Sequence, residues 1–141
     1  DEFEKGTPPD SIKQAQDAIR WADHLVIFYP LWLGSMPALL KAFLEQVFRP
    51  GVAFEYRAQG KMAKKLFTGK SARIVVTMGM PALVYRWFYL AHSLKSLERN
   101  ILAFCGIKPT RATLIGQVEG MNERQRASWL DEMRGLGDVG K

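Results

Sequence analysis

The order of apolar runs in these 141 residues predicts an α/β fold, an open parallel sheet with helices on both faces. Residues 25–29, Leu-Val-Ile-Phe-Tyr, are an unbroken apolar run of strand length, and Ala72 to Val76 reads as a second apolar strand. Runs without alternation suit parallel strands covered on both faces. Around them apolar residues recur at helical spacing, so helix and strand alternate, which calls for right-handed crossovers.

The elements follow in order. Gly6-Thr7-Pro8-Pro9 reads as loop, and Asp10 or Ser11 is placed to cap a helix carrying Ile12, Ala15, Ile19 and Ala22. The strand at 25–29 breaks at Pro30 into a loop running to Met36. A helix from about Pro37 to Phe48 then gathers Leu39, Leu40, Phe43, Leu44, Val47 and Phe48 on one side, with Pro37 in the first turn, where a missing N–H costs little. Arg49-Pro50-Gly51 stops it. Val52 to about Lys70 is a basic connection with at most a short extended piece at Ala53 to Tyr56. The strand Ala72 to Val76 runs into Thr77-Met78-Gly79-Met80-Pro81. Leu94, Leu97, Ile101 and Phe104 mark the next helix, which Gly106 is placed to close in a left-handed conformation. A third strand follows at about Ala112 to Val118. Asn122 with Gln125 makes a capping-box start for a last helix carrying Trp129, Leu130, Met133 and Leu136.

Composition bounds the function. With 48% hydrophobic and 24% charged residues the chain is globular, and residues 1–141 read as a single domain. No apolar run approaches the roughly 20 residues that a membrane-spanning helix needs. The start, Asp-Glu-Phe-Glu, shows no secretory leader. One cysteine, Cys105, excludes an internal disulfide framework and a CxxC pair, which points to a reducing, cytoplasmic setting; its place at an apolar helix end makes it a buried small hydrophobe. The net charge of +6 draws on Arg57, Lys61, Lys64, Lys65, Lys70 and Arg73, but no helix-turn-helix, zinc-ligand or RNP pattern accompanies them, so the cluster reads as a solvated loop and not a nucleic-acid site. His24 has no metal-ligand partner at a useful spacing and is read as structural; no metal site is expected. In open parallel sheets ligands sit at the carboxyl ends of the strands, which directs attention to Pro30–Met36 and to the segments after the later strands.

Three motifs carry a resemblance. The run from Ala22 to Phe48, with Phe-Tyr-Pro-Leu-Trp-Leu-Gly followed by Pro-Ala-Leu-Leu-Lys and Val-Phe, resembles the flavodoxin-like NAD(P)H:quinone oxidoreductase family. Thr77-Met78-Gly79 with Tyr85 downstream is similar to that family's second flavin loop, and Phe104-Cys105-Gly106 to its Phe-Cys-Gly before the last strand. The resemblance covers about Ala15 to Leu136. It implies a flavodoxin-like three-layer open parallel sheet, here lacking the family's N-terminal strands and its phosphate-cradling loop. The expected fold is the C-terminal portion of that domain, with an unpaired edge at Leu25 to Tyr29 that favours self-association and weak flavin binding.

The activity implied is hydride transfer from NAD(P)H through a bound flavin, FMN or FAD, to a quinone or similar small-molecule acceptor, in a homodimer. The flavin-binding residues implied are Pro30, Leu31, Trp32, Leu33 and Gly34 from the first loop and Thr77, Met78, Gly79 and Met80 from the second. Leu31, Trp32 and Leu33 would pack on the ring, and the N–H groups of the second loop would face its pyrimidine edge. Met78 and Met80 stand where the family prefers Thr and Gly. Tyr85 would stand over the open face as a hydroxyl donor, and His92 would balance charge during hydride transfer. The aromatic group Tyr85, Trp87, Phe88 and Tyr89 is read as a lid or dimer contact. Two other classes stay open: a regulatory subunit of a membrane potassium-efflux system, and a cofactor-free structural fragment.

Overall fold

The computed structural model describes residues 6–57 and 62–140, so Lys61 lies outside the described residues. Helix α1 (Asp10–Trp21) leads into strand β1 (His24–Pro30), and helix α2 (Ala38–Val47) follows. The connection carries a two-residue antiparallel ribbon, β2 (Phe54–Glu55) with β3 (Lys64–Lys65), in place of a lone extended piece. Strand β4 (Ser71–Thr77) comes next. The helical stretch after it is α3 (His92–Ser96), a π-helical segment Leu97–Leu102, and α4 (Ala103–Cys105). Strand β5 (Thr110–Ile115) and helix α5 (Glu123–Asp138) complete the order.

The three long strands pair in the order β1-β4-β5, all parallel, as the alternation of elements requires. The register sets His24 beside Ser71, Ile27 beside Ile74, and Ile74 beside Ala112. Side chains alternate across a strand, so Leu25, Ile27, Tyr29, Ala72, Ile74 and Val76 share one face. That face holds the core: Leu44, Val47, Leu94, Leu97, Leu102 and Cys105 close over it, with Ile12, Ala15 and Ile19 of α1 at the margin. The other face carries Val26, Phe28, Arg73, Val75, Thr77, Thr113 and Ile115, and α5 lies across it through Trp129, Leu130 and Met133.

Coverage of β1 departs from the expectation of two buried faces. Val26 is 52% and Phe28 61% exposed: Trp129, Leu130 and Met133 of α5 share a cavity with Phe28, Val75, Thr77 and Ile115 but leave β1 largely uncovered on this face. Among the described residues that edge has no strand partner, as the expected strand order requires. Helix starts divide. Asn122 and Gln125 form the expected capping box, at 2.9 and 3.0 Å. At α1, neither Asp10 nor Ser11 caps: Pro9 occupies that position, its carbonyl accepts from Ile12 and Lys13, and Asp10 instead pairs with Lys13. Gly106 closes α4 at φ +105°, as expected, with its backbone against Phe67 and Thr68.

β5 is shorter than its apolar pattern suggests. It ends at Ile115; Gly116 and a left-handed Gln117 (φ 56°) then turn the chain into a short 3-10 segment, Val118–Gly120. A left-handed residue ends a ladder whatever its neighbours' hydropathy.

Candidate functional site

At the carboxyl end of the sheet the chain leaves β1 through Pro30 and makes a tight two-residue hairpin. Trp32 and Ser35 exchange both backbone hydrogen bonds at 2.9 Å, with Leu33 and Gly34 between them at φ 47° and 77°. Positive φ at both central positions is the type I′ pattern, which suits Gly34 and strains Leu33. Leu33 is fully exposed at the tip and Trp32 is 64% exposed beside it. A cleft of about 560 Å³ opens between this hairpin, the start of α2 and Ser93, Ser96 and Ile101.

The segment after β4 is tied to both neighbouring loops through its carbonyls. Thr77 O accepts from Leu31 N at 2.7 Å, Met78 O from Val118 N at 3.2 Å, and Met80 O from Gln117 N at 3.1 Å. Met78 N donates to Ile115 O at 2.9 Å, and the Met78 side chain is buried in the core. Among the described residues the N–H groups of Gly79 and Met80 donate to nothing. The loop therefore presents two free N–H donors around an exposed glycine, whose own carbonyl is also unengaged among the described residues. Such a surface suits an electron-rich ligand edge.

Tyr85 is placed differently from the expectation. It is 2% exposed, and its hydroxyl lies 2.7 Å from Ser93 Oγ while accepting from Leu94 N at 3.2 Å, so the ring packs inward and stands over no open face. The reason is local. A π-helical segment, Val84–Phe88, rotates Tyr85 toward the core and leaves Trp87, Phe88 and Tyr89 outside. Two left-handed residues, Leu90 (φ 53°) and Ala91 (φ 48°), then turn the chain into α3. His92, exposed at the start of α3, shares that corner; among the described residues its ring has no hydrogen-bond partner.

Thus Pro30 and Leu31 are brought against Thr77, Trp32 and Leu33 line the cleft with Gly34 at the hairpin tip, and Tyr85 is withdrawn. Behind the hairpin Tyr29 is buried, its hydroxyl without a partner among the described residues and its ionisation pushed upward by desolvation and by Tyr85 and Glu98 nearby. Burial likewise raises the Glu98 carboxyl, offset by Arg99 and Lys95. His24, at the far end of β1, holds Ser71 Oγ through Nδ1 at 2.7 Å. No group of metal-binding side chains occurs among the described residues. Gly116, Gln117 and Ser93 were not singled out from the sequence. A glycine directly after an apolar run was the available signal for the first two.

Solved structures and curated relatives are similar to this chain in fold and in sequence. The crystal structure of Smu.1420 from Streptococcus mutans superposes with a TM-score of 0.78 at 29% identity, over 96% of this chain and 68% of that one. An uncharacterised NAD(P)H oxidoreductase of Haemophilus influenzae is 28% identical over 127 residues, 89% of this chain and 62% of its own length. An FMN-dependent NADH:quinone oxidoreductase of Hahella chejuensis is 35% identical over 114 residues, 72% of this chain and 52% of its own length. The chain thus spans between about half and three fifths of the length of these two curated relatives. The model of the flavodoxin-like fold family matches residues 2–135, and the chain belongs to that family.

Proposed function

We propose that the chain forms the flavin-ring side of an FMN-dependent NAD(P)H:quinone oxidoreductase. The observation that carries this reading is the loop after β4, whose carbonyls at Thr77, Met78 and Met80 are all engaged while the amides of Gly79 and Met80 are free. These amides would donate to the polar edge of the ring, where negative charge gathers on reduction. Trp32 and Leu33 would give it apolar cover, with Pro30, Leu31 and Gly34 shaping the turn that presents them. When bound, the flavin supplies hydride acceptance from NAD(P)H and delivery to a quinone. The chain's own part is to hold the ring, exclude water from its covered face and leave the other face open. The names of the relatives favour FMN over FAD. His92 would sit at the margin as a titratable group, and Tyr85 acts by fixing the corner that carries it.

The exposed aromatic corner of Trp87, Phe88 and Tyr89 gives a second copy an apolar surface to cover, and a homodimer is part of this proposal. A single buried cysteine fits a cytoplasmic setting.

The test is an FMN titration of the chain followed by flavin fluorescence, with Gly79→Val beside the wild type. A Cβ at Gly79 meets only Glu119 Oε1, at 3.9 Å, so the first carbon of an added side chain has room on the protein's side. Wild-type binding that the variant weakens about tenfold or more supports the site. Absence of binding, or equal binding by both, removes it.

A further inference from the structure

Gly116 is the residue against which the donor loop is seated. A Cβ built on it would lie 2.4 Å from Ala82 N, 2.8 Å from Met80 O and 3.1 Å from Pro81 C. All three are backbone atoms, so no side chain can swing aside to make room. Gly116 is partly buried, and the hydrogen bonds on either side of it clamp the same loop: Ile115 O receives Met78 N at 2.9 Å, and Gln117 N reaches Met80 O at 3.1 Å.

A second observation is independent of that crowding. Gln117 holds φ 56°, a conformation that side-chain-bearing residues adopt at a cost, although it is exposed and packs into no core. The strained turn aims the Gln117 amide at the Met80 carbonyl and so ties the loop to the end of β5. Val118 N does the same for Met78 O at 3.2 Å.

We infer that Gly116 and Gln117 form a positioning turn for the flavin loop: Gly116 lets the Met80–Ala82 backbone lie flat on the end of β5, while Gln117 N holds the Met80–Pro81 peptide and Val118 N holds the Met78–Gly79 peptide, whose N–H is the Gly79 donor. The inference rests on the flavin reading above and adds to it two residues from the turn after β5, which act through the loop they seat. Any side chain at position 116 would lift the loop by several tenths of an ångström or more, enough to misalign the Gly79 and Met80 amides, because hydrogen bonds weaken steeply with distance and angle.

The experiment compares wild type, Gly116→Ala and Gly120→Ala in FMN titrations, in the midpoint potential of the bound flavin, and in thermal unfolding of the apo chain by circular dichroism. Gly120 is the control, with nothing within 4 Å of its Cβ. At a temperature where all three are folded, Gly116→Ala is expected to bind FMN about tenfold or more weakly. The potential of its bound flavin should move to more negative values, since the donors to the reduced ring are displaced, and Gly120→Ala should match wild type in both. If Gly116→Ala does not fold, Gln117→Pro carries the test: the position is exposed, proline has no N–H for Met80 O, and it cannot hold a positive φ. The same losses are expected of it. Wild type that binds no FMN overturns the flavin reading and this inference together. Wild type that binds, with variants that lose only thermal stability while keeping affinity and potential, overturns this inference alone.

Discussion

The Tyr85 hydroxyl lies 2.7 Å from Ser93 Oγ across a corner of two consecutive left-handed residues, Leu90 and Ala91. The same tyrosine holds the corner by its backbone, where Tyr85 O accepts from Ala91 N at 3.0 Å. One residue thus fastens both ends of a strained turn, which explains why the turn persists without a glycine. Tyr85→Phe leaves the buried Leu94 N–H unsatisfied and is expected to cost about 1–3 kcal/mol, read by urea unfolding. The hydroxyl faces the fold, so turnover of a flavin-loaded protein should stay within a few-fold of wild type at temperatures where the variant is folded. A slowing of 10² or more, the range of a positioned proton donor, would return the hydroxyl to the reaction.

Leu33 presents the opposite case, a large apolar side chain held at φ 47° with no core around it. Left-handed backbone costs an ordinary residue roughly 1–2 kcal/mol, and asparagine tolerates it better. Leu33→Asn is expected to stabilise the apo chain by about 0.5–1 kcal/mol in urea unfolding. It should also weaken FMN binding, because the apolar cover of the ring is lost. Gain of stability without loss of affinity would show that Leu33 does not touch the ligand.

These two residues also mark where the sequence was legible. Three parallel strands, the capping box of α5 and the left-handed Gly106 follow from local chemistry: apolar runs, an Asn with Gln three residues on, and a glycine after a helical repeat. The loops at the carboxyl ends of β1 and β4 followed from the same logic. The withdrawal of Tyr85 did not, because a five-residue π segment and an α turn place apolar residues at nearly the same spacing while rotating them to different faces. The exposure of Val26 and Phe28 escaped for a related reason. A run without alternation carries no mark of which face is covered.

Cys105 gives a pH prediction. Burial pushes its thiol from an ordinary value of 9.0 up to about 12, against a small lowering by Lys65. The thiolate is the reactive form, so a thiol reagent at pH 8 should modify the native chain far more slowly than the chain in urea. The folded value is the raised one, so the neutral thiol's contribution to stability is complete below about pH 9 and is lost as the pH rises toward 12. Cys105→Ala should lessen that alkaline loss. An unchanged alkaline slope would assign it to other groups.

Arg73 is a buried cation without a carboxylate. It is 8% exposed at the centre of β4, in register with Val26 on one side and Arg111 on the other. Its Nη1 donates to Thr113 Oγ1 at 2.9 Å, Nε is buried without a partner, and among the described residues no acidic side chain pairs with it. Desolvating a guanidinium costs several kcal/mol, and one hydroxyl returns only part of that. Methionine keeps most of the volume and removes the charge. Arg73→Met is therefore expected to stabilise the chain by about 1–4 kcal/mol, as the replacement of buried charges by apolar groups does elsewhere. Thr113→Val, which removes the hydroxyl and strands the cation further, should destabilise wild type yet be nearly neutral in the Arg73→Met background. Urea midpoints for the four chains close that cycle. A loss of stability in Arg73→Met would show instead that the arginine, through its packing and its bond to Thr113, stabilises the fold.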